Sequence, residues 1–270
     1  MSVIRYLLSC FLMILLLNGC TDKLSNQDYT DSSIRWKADF TIKGINIPII
    51  FTLDSIPLNI HGYRTIFTDG PITNQKEYTE ITSDSFINPL DYSGHIYLKG
   101  IIRNDTIKGI FEDKKDKNAL VTIPFIAYKT KEPRFSIPST YTAINVTGQW
   151  EFTFSEQDSP IKFTEYSKIE NFHLFQNEGT LIARTTRNEG FEGVMTQDGF
   201  ICSSMSKDRP TLLQTSIVDT DNLEGTIHTP NESFSFTAKR KSKLESTKEN
   251  STTLFKMLRN LFKAYEEYPK

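Results

Sequence analysis

The sequence predicts an all-β protein built from two tandem antiparallel meander or barrel-like units, with a signal segment before them and a short C-terminal amphipathic helix after them. Three observations support this fold class. Apolar and polar residues alternate with a period of two along Trp36–Ile42 and Trp150–Phe154, which is typical of half-buried strands. Turn sequences such as Asn188-Glu189-Gly190 and Asp198-Gly199 separate such runs. The third observation is that the two halves of the chain resemble each other.

The predicted organisation has six parts. They are a signal peptide over residues 1–19, a lipid anchor and tether over 20–33, a first β unit over 34–130, a linker over 131–147, a second β unit over 148–241, and a linker with a C-terminal helix over 242–270. A meander of about eight short strands closes naturally into a small barrel, because closure removes its exposed edges. One continuous large sandwich is the alternative architecture.

The likeness of the two β units indicates a duplication. The matched segments are Asn104–Ile110 with Thr220–Thr226, Ile123–Lys129 with Phe234–Arg240, and Trp36 with Trp150. In the first unit, turns are predicted at Asp69-Gly70-Pro71, at Asn88-Pro89 and at Asn104-Asp105. Such a repeat predicts two β units of the same kind, one after the other.

The N-terminus has the pattern of a bacterial secretion signal. Arg5 precedes an apolar run over Leu7–Leu17, which is too short to span a bilayer with ease. The run ends in Leu17-Asn18-Gly19-Cys20, which resembles the bacterial lipobox. That resemblance implies that Cys20 is acylated, for example with palmitate, and becomes the mature N-terminus. The alternative is an ordinary signal peptide with an incidental cysteine.

The charge and the cysteine content of the chain exclude several classes of function. The chain has 31 basic and 33 acidic residues, so no bulk charge draws it to nucleic acid. Its three cysteines are Cys10 in the signal segment, Cys20 at the predicted anchor, and Cys202. The mature body therefore holds one cysteine, which excludes an intramolecular disulfide, a C-x-x-C pair and a cysteine-based zinc site within it.

No residue pattern predicts a catalytic, cofactor-binding or metal-binding site. Cys202 lies in a strand-like run and is predicted to be a small buried apolar residue, with a reactive thiol as the alternative. The four histidines, at positions 61, 95, 173 and 228, are too far apart for any known metal motif. Lipidation at Cys20 is the only predicted site, and no cofactor is expected.

The C-terminal segment has helical periodicity after a charged linker. Its apolar residues, Leu254, Phe255, Leu258, Leu261, Phe262 and Tyr265, fall on one helical face, while Lys256, Arg259 and Lys263 lie off it. The main prediction is a helix packed back on the β body. A helix at a membrane surface or one that binds a partner is the alternative.

Several short motifs carry a family resemblance over about residues 34–241. They are Arg134-Phe135, Val146-x-Gly148-x-Trp150-Glu151-x-x-Phe154, Phe191–Val194, Ile201–Ser203, Leu223-x-Gly225-Thr226 and Phe236–Arg240. In this order they resemble the N-terminal β region of the TlpA/ResA-like thiol-disulfide oxidoreductase lipoproteins of Bacteroidetes. In that family a thioredoxin domain with Trp-Cys-x-x-Cys follows. No cysteine follows Cys202 here, so the resemblance does not carry the redox activity over.

The sequence therefore favours a membrane-anchored bacterial lipoprotein whose β body binds or interacts in the cell envelope without catalysis. Its expected partners are a membrane, through the lipid on Cys20, and an envelope protein, on a periplasmic or surface-facing side. One alternative is a ligand-binding barrel, since Gly148-x-Trp150 resembles the start of lipocalin and avidin barrels. Another is an accessory or truncated relative of a TlpA-like oxidoreductase. An enzyme is the least favoured alternative, because no catalytic motif is recognised.

Overall fold

The computed structural model describes residues 34–56, 62–70, 72–116, 120–155 and 169–242. The predicted signal segment, Cys20, His61 and the predicted C-terminal helix lie outside these residues. Within the described ranges, no helix is both long enough and apolar enough to cross a membrane.

In the described ranges, sixteen antiparallel strands follow one another. The first eight are β1 (Ile34–Ile42), β2 (Ile45–Ser55), β3 (Gly62–Asp69), β4 (Ile72–Ile81), β5 (Ser85–Pro89), β6 (Ile96–Arg103), β7 (Thr106–Asp113) and β8 (Val121–Lys129). The second eight are β9 (Gly148–Phe154), β10 (Ile169–Asn177), β11 (Thr180–Thr185), β12 (Gly190–Met195), β13 (Gly199–Ser204), β14 (Thr211–Ile217), β15 (Asn222–His228) and β16 (Ser233–Ser242). A single turn of 3-10 helix, η1 (Ser206–Asp208), lies between β13 and β14.

Each set of eight strands forms a closed barrel in which neighbours along the chain are neighbours in space. The first barrel closes by pairing β1 with β8, where Trp36 lies opposite Lys129. The second closes by pairing β9 with β16, where Trp150 lies opposite Arg240. The predicted all-β class with two tandem barrel-like units is confirmed, and the continuous sandwich is wrong.

Aromatic side chains fill the interior of both barrels. In the first, Phe51 packs against Trp36, Phe67 and Phe86, with ring centroids 5.8–6.3 Å apart. In the second, Phe152 packs against Phe172 at 4.3 Å and against Phe236 at 4.7 Å. Eight-stranded barrels have an interior just wide enough for side chains, so residues that alternate inward along each strand form a packed core.

The two barrels repeat the same details at matched positions. A cation of the last strand lies over the tryptophan of the first: Lys129 is 5.6 Å from the ring centre of Trp36, and Arg240 is 4.5 Å from that of Trp150. The sequence alignment of the two units agrees with the strand registers, which pair Gly109 with Phe125 and Gly225 with Phe236.

The first unit differs from its prediction at β5. The sequence predicts a turn at Asn88-Pro89, but this pair ends strand β5, with Asn88 opposite Leu98 and Pro89 opposite Tyr97 of β6. The expectation is wrong because Asn and Pro are common in turns for local reasons, whereas here burial decides. Asn88 points into the barrel and is fully buried. Pro89 lies at the end of the strand, where its missing backbone N–H does not interrupt the hydrogen bonds between strands.

Candidate functional site at the seam between the barrels

The two barrels share apolar contacts along a seam, which we define as the linker 131–147 together with the β3–β4 turn, the β11–β12 strands and η1. Met205 and Leu212 belong to the second barrel, yet both are buried in the core cluster of the first. Phe135 of the linker also packs against that cluster, and Val146 is buried in the core of the second barrel. The linker therefore contacts both cores.

Arg134 is the polar centre of the seam, and its side chain is fully buried. Its Nη1 donates to Asp69 Oδ1 at 2.9 Å and to the Ser203 carbonyl oxygen at 2.6 Å, while Nη2 donates to the Thr68 carbonyl. Asp69 also accepts a hydrogen bond from the backbone N–H of Met205 at 3.1 Å. One guanidinium therefore joins the linker, the end of β3 and the end of β13.

The burial of this pair has an electrostatic consequence. Burial raises the pKa of the Asp69 carboxyl, and Arg134 acts in the opposite direction. A buried charge is tolerated only when it is paired and hydrogen-bonded. Asp69 accepts hydrogen bonds from both Arg134 and the Met205 amide, so the buried carboxylate is paired and its position is fixed.

Further polar pairs join the two barrels. Arg209 donates from Nε to Asp113 Oδ2 at 2.8 Å, and Asp208 accepts from Lys76. The backbones also come close, since a Cβ added to Gly190 would meet the Asp69 carbonyl. Such contacts fix the rotation of one barrel against the other.

Beside this network lies an apolar recess of about 360 Å³, which we call the seam cleft. Its floor is formed by apolar residues of the linker and of β11–β12: Pro133, Phe135, Ile137, Leu181, Ile182 and Val194. Its rim is the β10–β11 turn, where Gly179 lies so close to Ile137 and Tyr141 that a Cβ there would be 2.5 Å and 3.1 Å from them. Ile137 remains 53% exposed, so an apolar side chain lines an open recess.

The charges of the seam cleft are of one sign. Glu178 and Glu192 are in its lining, whereas none of the described lining residues is a lysine or an arginine. Glu192 Oε2 accepts from the Gly70 N–H at 3.4 Å, which orients this carboxylate at the junction of the barrels. A mostly apolar recess with a few oriented polar groups is the usual form of a binding site.

Cys202 lies inside the second barrel and not in the seam cleft. It is fully buried, and burial raises the pKa of its thiol, while Arg134 acts in the opposite direction. The thiolate is the reactive form of cysteine, so this thiol is protonated and shielded at neutral pH. The structure therefore supports the buried apolar residue that the sequence predicts and not the reactive thiol.

Asn88 is the matched residue of the first barrel. Counted across the ladders from Gly109 and Gly225, Asn88 of β5 corresponds to Cys202 of β13. It is fully buried, and neither its amide nitrogen nor its amide oxygen has a hydrogen-bond partner in the described structure. Thr65 and Thr79 are also buried polar side chains of this barrel, and their hydroxyl groups bond each other at 2.5 Å.

The three described histidines lie apart from each other. His95 bonds Ser93 at an exposed turn, His173 stacks on Phe175, and His228 bonds Ser233 and Gln214. Burial lowers the pKa of both His173 and His228. No group of three or more histidine, cysteine or acidic residues is placed to hold a metal within the described part of the chain.

The sequence predicts the linker at 131–147 but not the buried polar contacts that it makes. Arg134 stands between Pro133 and Phe135 in a segment predicted as a linker, and Asp69 was assigned to a turn. One sign was available, because Arg134-Phe135 belongs to the motifs that carry the family resemblance. The predicted site residue, Cys20, lies outside the described residues.

Comparison with known proteins adds no family. No protein-family model matches the chain, and no curated protein does. One similar solved structure is described as a "putative outer membrane protein" from Bacteroides fragilis, at 9% identity over 77% of this chain and 96% of that chain, with a TM-score of 0.20. Another is a conserved protein of unknown function with a hot dog fold from Alicyclobacillus acidocaldarius, at 6% identity over 81% and 82% of the chains, with a TM-score of 0.14. At these TM-scores neither likeness bears on fold or function.

Proposed function

We propose that this chain is a lipid-anchored β module of the bacterial cell envelope, which binds an apolar segment of a partner protein in the seam cleft. The observation that carries the proposal is the cleft itself, an open apolar recess of about 360 Å³ next to a fully buried arginine. The anchor is inferred from Leu17-Asn18-Gly19-Cys20.

The construction of the seam supports a binding role. Apolar pockets that exclude water from an inserted side chain are where most binding energy arises. The wall of this cleft is held in place by the Arg134–Asp69 pair and by Gly179 packed beneath Ile137 and Tyr141. A preformed wall of this kind lowers the entropy lost when a partner binds.

A ligand inside a barrel is less well supported. Fully buried aromatic side chains occupy both interiors, including Trp36, Phe51 and Phe86 in one and Trp150, Phe152 and Phe172 in the other. These rings stand where a lipocalin-like barrel would hold its ligand. The family resemblance fits a role as an accessory relative of TlpA-like lipoproteins, and the buried Cys202 supports no thiol exchange.

Labelling tests the anchor. Cells expressing the full chain are grown with an alkyne analogue of palmitate and then fractionated. We expect label on the wild-type chain in the membrane fraction, and neither label nor membrane retention for C20S. A chain that is equally labelled and equally retained after C20S would contradict the anchor.

A photo-crosslinker in place of Ile137 tests the binding role, with Val218 as the control because it is 60% exposed but absent from the cleft lining. We expect a heavier, intermolecular adduct from position 137 and none from position 218. Equal adducts from both positions would contradict the cleft as binding surface. Turnover of ester, peptide or disulfide substrates by the purified chain, lost in a point variant of the β body, would overturn the non-catalytic role.

A further inference from the structure

We infer that the seam cleft is occupied by the chain's own C-terminal segment, residues 254–265, until a partner displaces it. This inference deepens the proposed function, since it names the occupant of the same cleft. It is carried by where the described chain ends, by the length of the remainder, and by the chemistry of the two surfaces.

The described chain ends at the barrel end that carries the cleft. Ser242, the last residue of β16, pairs with Gln149 at the start of β9, and Gly148 pairs with Leu174 of β10. Three residues beyond Leu174, β10 ends in the turn that forms the rim of the cleft. The chain therefore leaves the second barrel two strands away from the rim, or about 10 Å at the usual strand spacing.

The connecting residues are long enough to reach the cleft. Residues 243–253 separate the end of β16 from the first apolar residue of the segment, Leu254. At roughly 3.3 Å per residue, an extended connection of this length reaches about 36 Å. This exceeds the two-strand separation severalfold, so the connection lets the segment reach the cleft without strain.

The segment and the cleft are complementary in apolarity and in charge. The segment offers a stripe that includes Leu258, Leu261 and Phe262, and the cleft offers an apolar floor. The segment carries the basic residues Lys256, Arg259 and Lys263, whereas the charged residues of the cleft lining are Glu178 and Glu192. An amphipathic helix laid into an apolar groove, with opposite charges at the rim, is a recurrent mode of peptide recognition.

Tethering makes this occupancy effective even if the bare affinity is modest. A short flexible linker gives an effective concentration of about 1 mM. An external partner must then compete with the segment, so the chain would bind it more tightly once residues 243–270 are removed. The cleft would be masked in the isolated protein and exposed when another surface captures the segment.

Cysteine crosslinking tests the inference in the full chain. The C10S/C20S background removes the predicted lipid anchor and leaves the buried Cys202 as the native thiol. One pair is I137C with L258C. The control pair is V218C with L258C, because Val218 follows β14, which is two strands from β16 on the opposite side of the barrel. The two targets are therefore about equally reachable from Ser242 and are both exposed.

We expect a short bismaleimide to join the first pair at least about tenfold faster than the control pair, as tethered proximity requires. Adding L261E/F262E to the first pair should reduce its rate to that of the control, and these changes lie outside both barrels. Equal rates for the two pairs, or a fast rate that persists after L261E/F262E, would overturn the inference. Neither result depends on lipidation or on an external partner, so the proposed function would stand or fall by its own tests.

Discussion

At the scale of single residues, Arg134 is unusual because arginine side chains normally lie at the protein surface. A long cationic side chain is fully buried between two barrels, and its guanidinium nitrogens bond Asp69, Ser203 and Thr68. A buried ion pair adds little stability relative to apolar residues of the same shape, but removal of one partner leaves an unpaired buried charge. The main effect of the Arg134–Asp69 pair is therefore to fix which surfaces of the two barrels are in contact.

Replacement of Arg134 by alanine is expected to lower the free energy of unfolding by about 3–5 kcal/mol, because Asp69 would remain buried without its partner. Denaturant titration measures this loss. The control is D105N, which removes an ion pair to Lys129 whose aspartate is 73% exposed, and which should change stability by less than about 1 kcal/mol. Adding D69N to R134A should recover part of the loss, and a further equal loss would argue against the coupling.

The thiol of Cys202 should be inert in the folded protein. Burial raises its pKa, so a thiol reagent meets neither thiolate nor an open path at pH 7–8. In the C10S/C20S chain we expect no reaction with a chromogenic disulfide over minutes, and reaction with one equivalent in denaturant. Fast stoichiometric labelling without denaturant would show that the second barrel opens at this strand.

At the scale of elements, each barrel has a glycine at a matched position in its second-to-last strand, Gly109 in β7 and Gly225 in β15. A Cβ at Gly225 would lie 2.7 Å from the Phe236 ring and closer still to the Gln214 carbonyl, and one at Gly109 would lie 2.8 Å from the Phe125 ring and closer still to the Lys99 carbonyl. The phenylalanine of the last strand therefore lies across the glycine of the strand before it. This glycine–phenylalanine pairing occurs at matched positions in both barrels, so it is part of the structure that the two units have in common.

G225A should destabilise the chain by about 2–4 kcal/mol, because either the Phe236 ring or the ladder must shift. Thermal and denaturant unfolding would report the change. G44A is a suitable control: Gly44 has φ 82° but open space around its Cβ position, so alanine there should cost only about 1 kcal/mol for its backbone conformation. Similar losses in both variants would contradict the packing argument.

The Asn88 and Cys202 positions allow an exchange between the barrels. N88C places in the first barrel the residue that the second already has, and it removes two buried polar atoms without partners. We expect a gain of about 1–3 kcal/mol in the free energy of unfolding, and a loss of similar size for C202N. A loss of stability for N88C would indicate that the Asn88 amide is held by a bound water or another small polar molecule.

The sequence predicted the elements whose cause is local and repeated. Alternation identified the strand at Trp150–Phe154, turn chemistry identified the joints at Asn188-Glu189-Gly190 and Asp198-Gly199, and the aligned segments predicted the likeness of the two units. Strand β5 was missed, because Asn88-Pro89 has turn chemistry and only burial against β6 makes it a strand. The Arg134–Asp69 contact within the seam could not be predicted, because the two residues are far apart in the sequence and nothing local marks a linker arginine as buried.

At the scale of the whole molecule, the two barrels should unfold together. Met205 and Leu212 lie in the core cluster of the first barrel, so opening the second barrel exposes apolar surface of both. The chain has two tryptophans, one in each barrel, so W150F reports the first barrel through Trp36 and W36F reports the second through Trp150. Each substitution also lowers the stability of the chain by itself. After this effect is subtracted, we expect the two variants to give the same denaturation midpoint.

R134A provides the contrasting case. Loss of the seam arginine should separate the two fluorescence midpoints, because it weakens the contact between the barrels more than either interior. The test repeats the denaturant titration in W36F/R134A and W150F/R134A. Midpoints that stay together would mean that the apolar contacts of Met205 and Leu212 are sufficient to couple the barrels.

Closure of each barrel on itself has a consequence for how such a chain can change. Because Trp36 lies opposite Lys129 and Gln149 lies opposite Ser242, each unit returns the backbone to the place where it began. A unit with this property can be copied or reopened at a different turn without rearranging its ladder. Linking the two ends of the second barrel and opening it at Asp198-Gly199 should therefore preserve its fold, and a third barrel could be appended after Ser242 by the same rule.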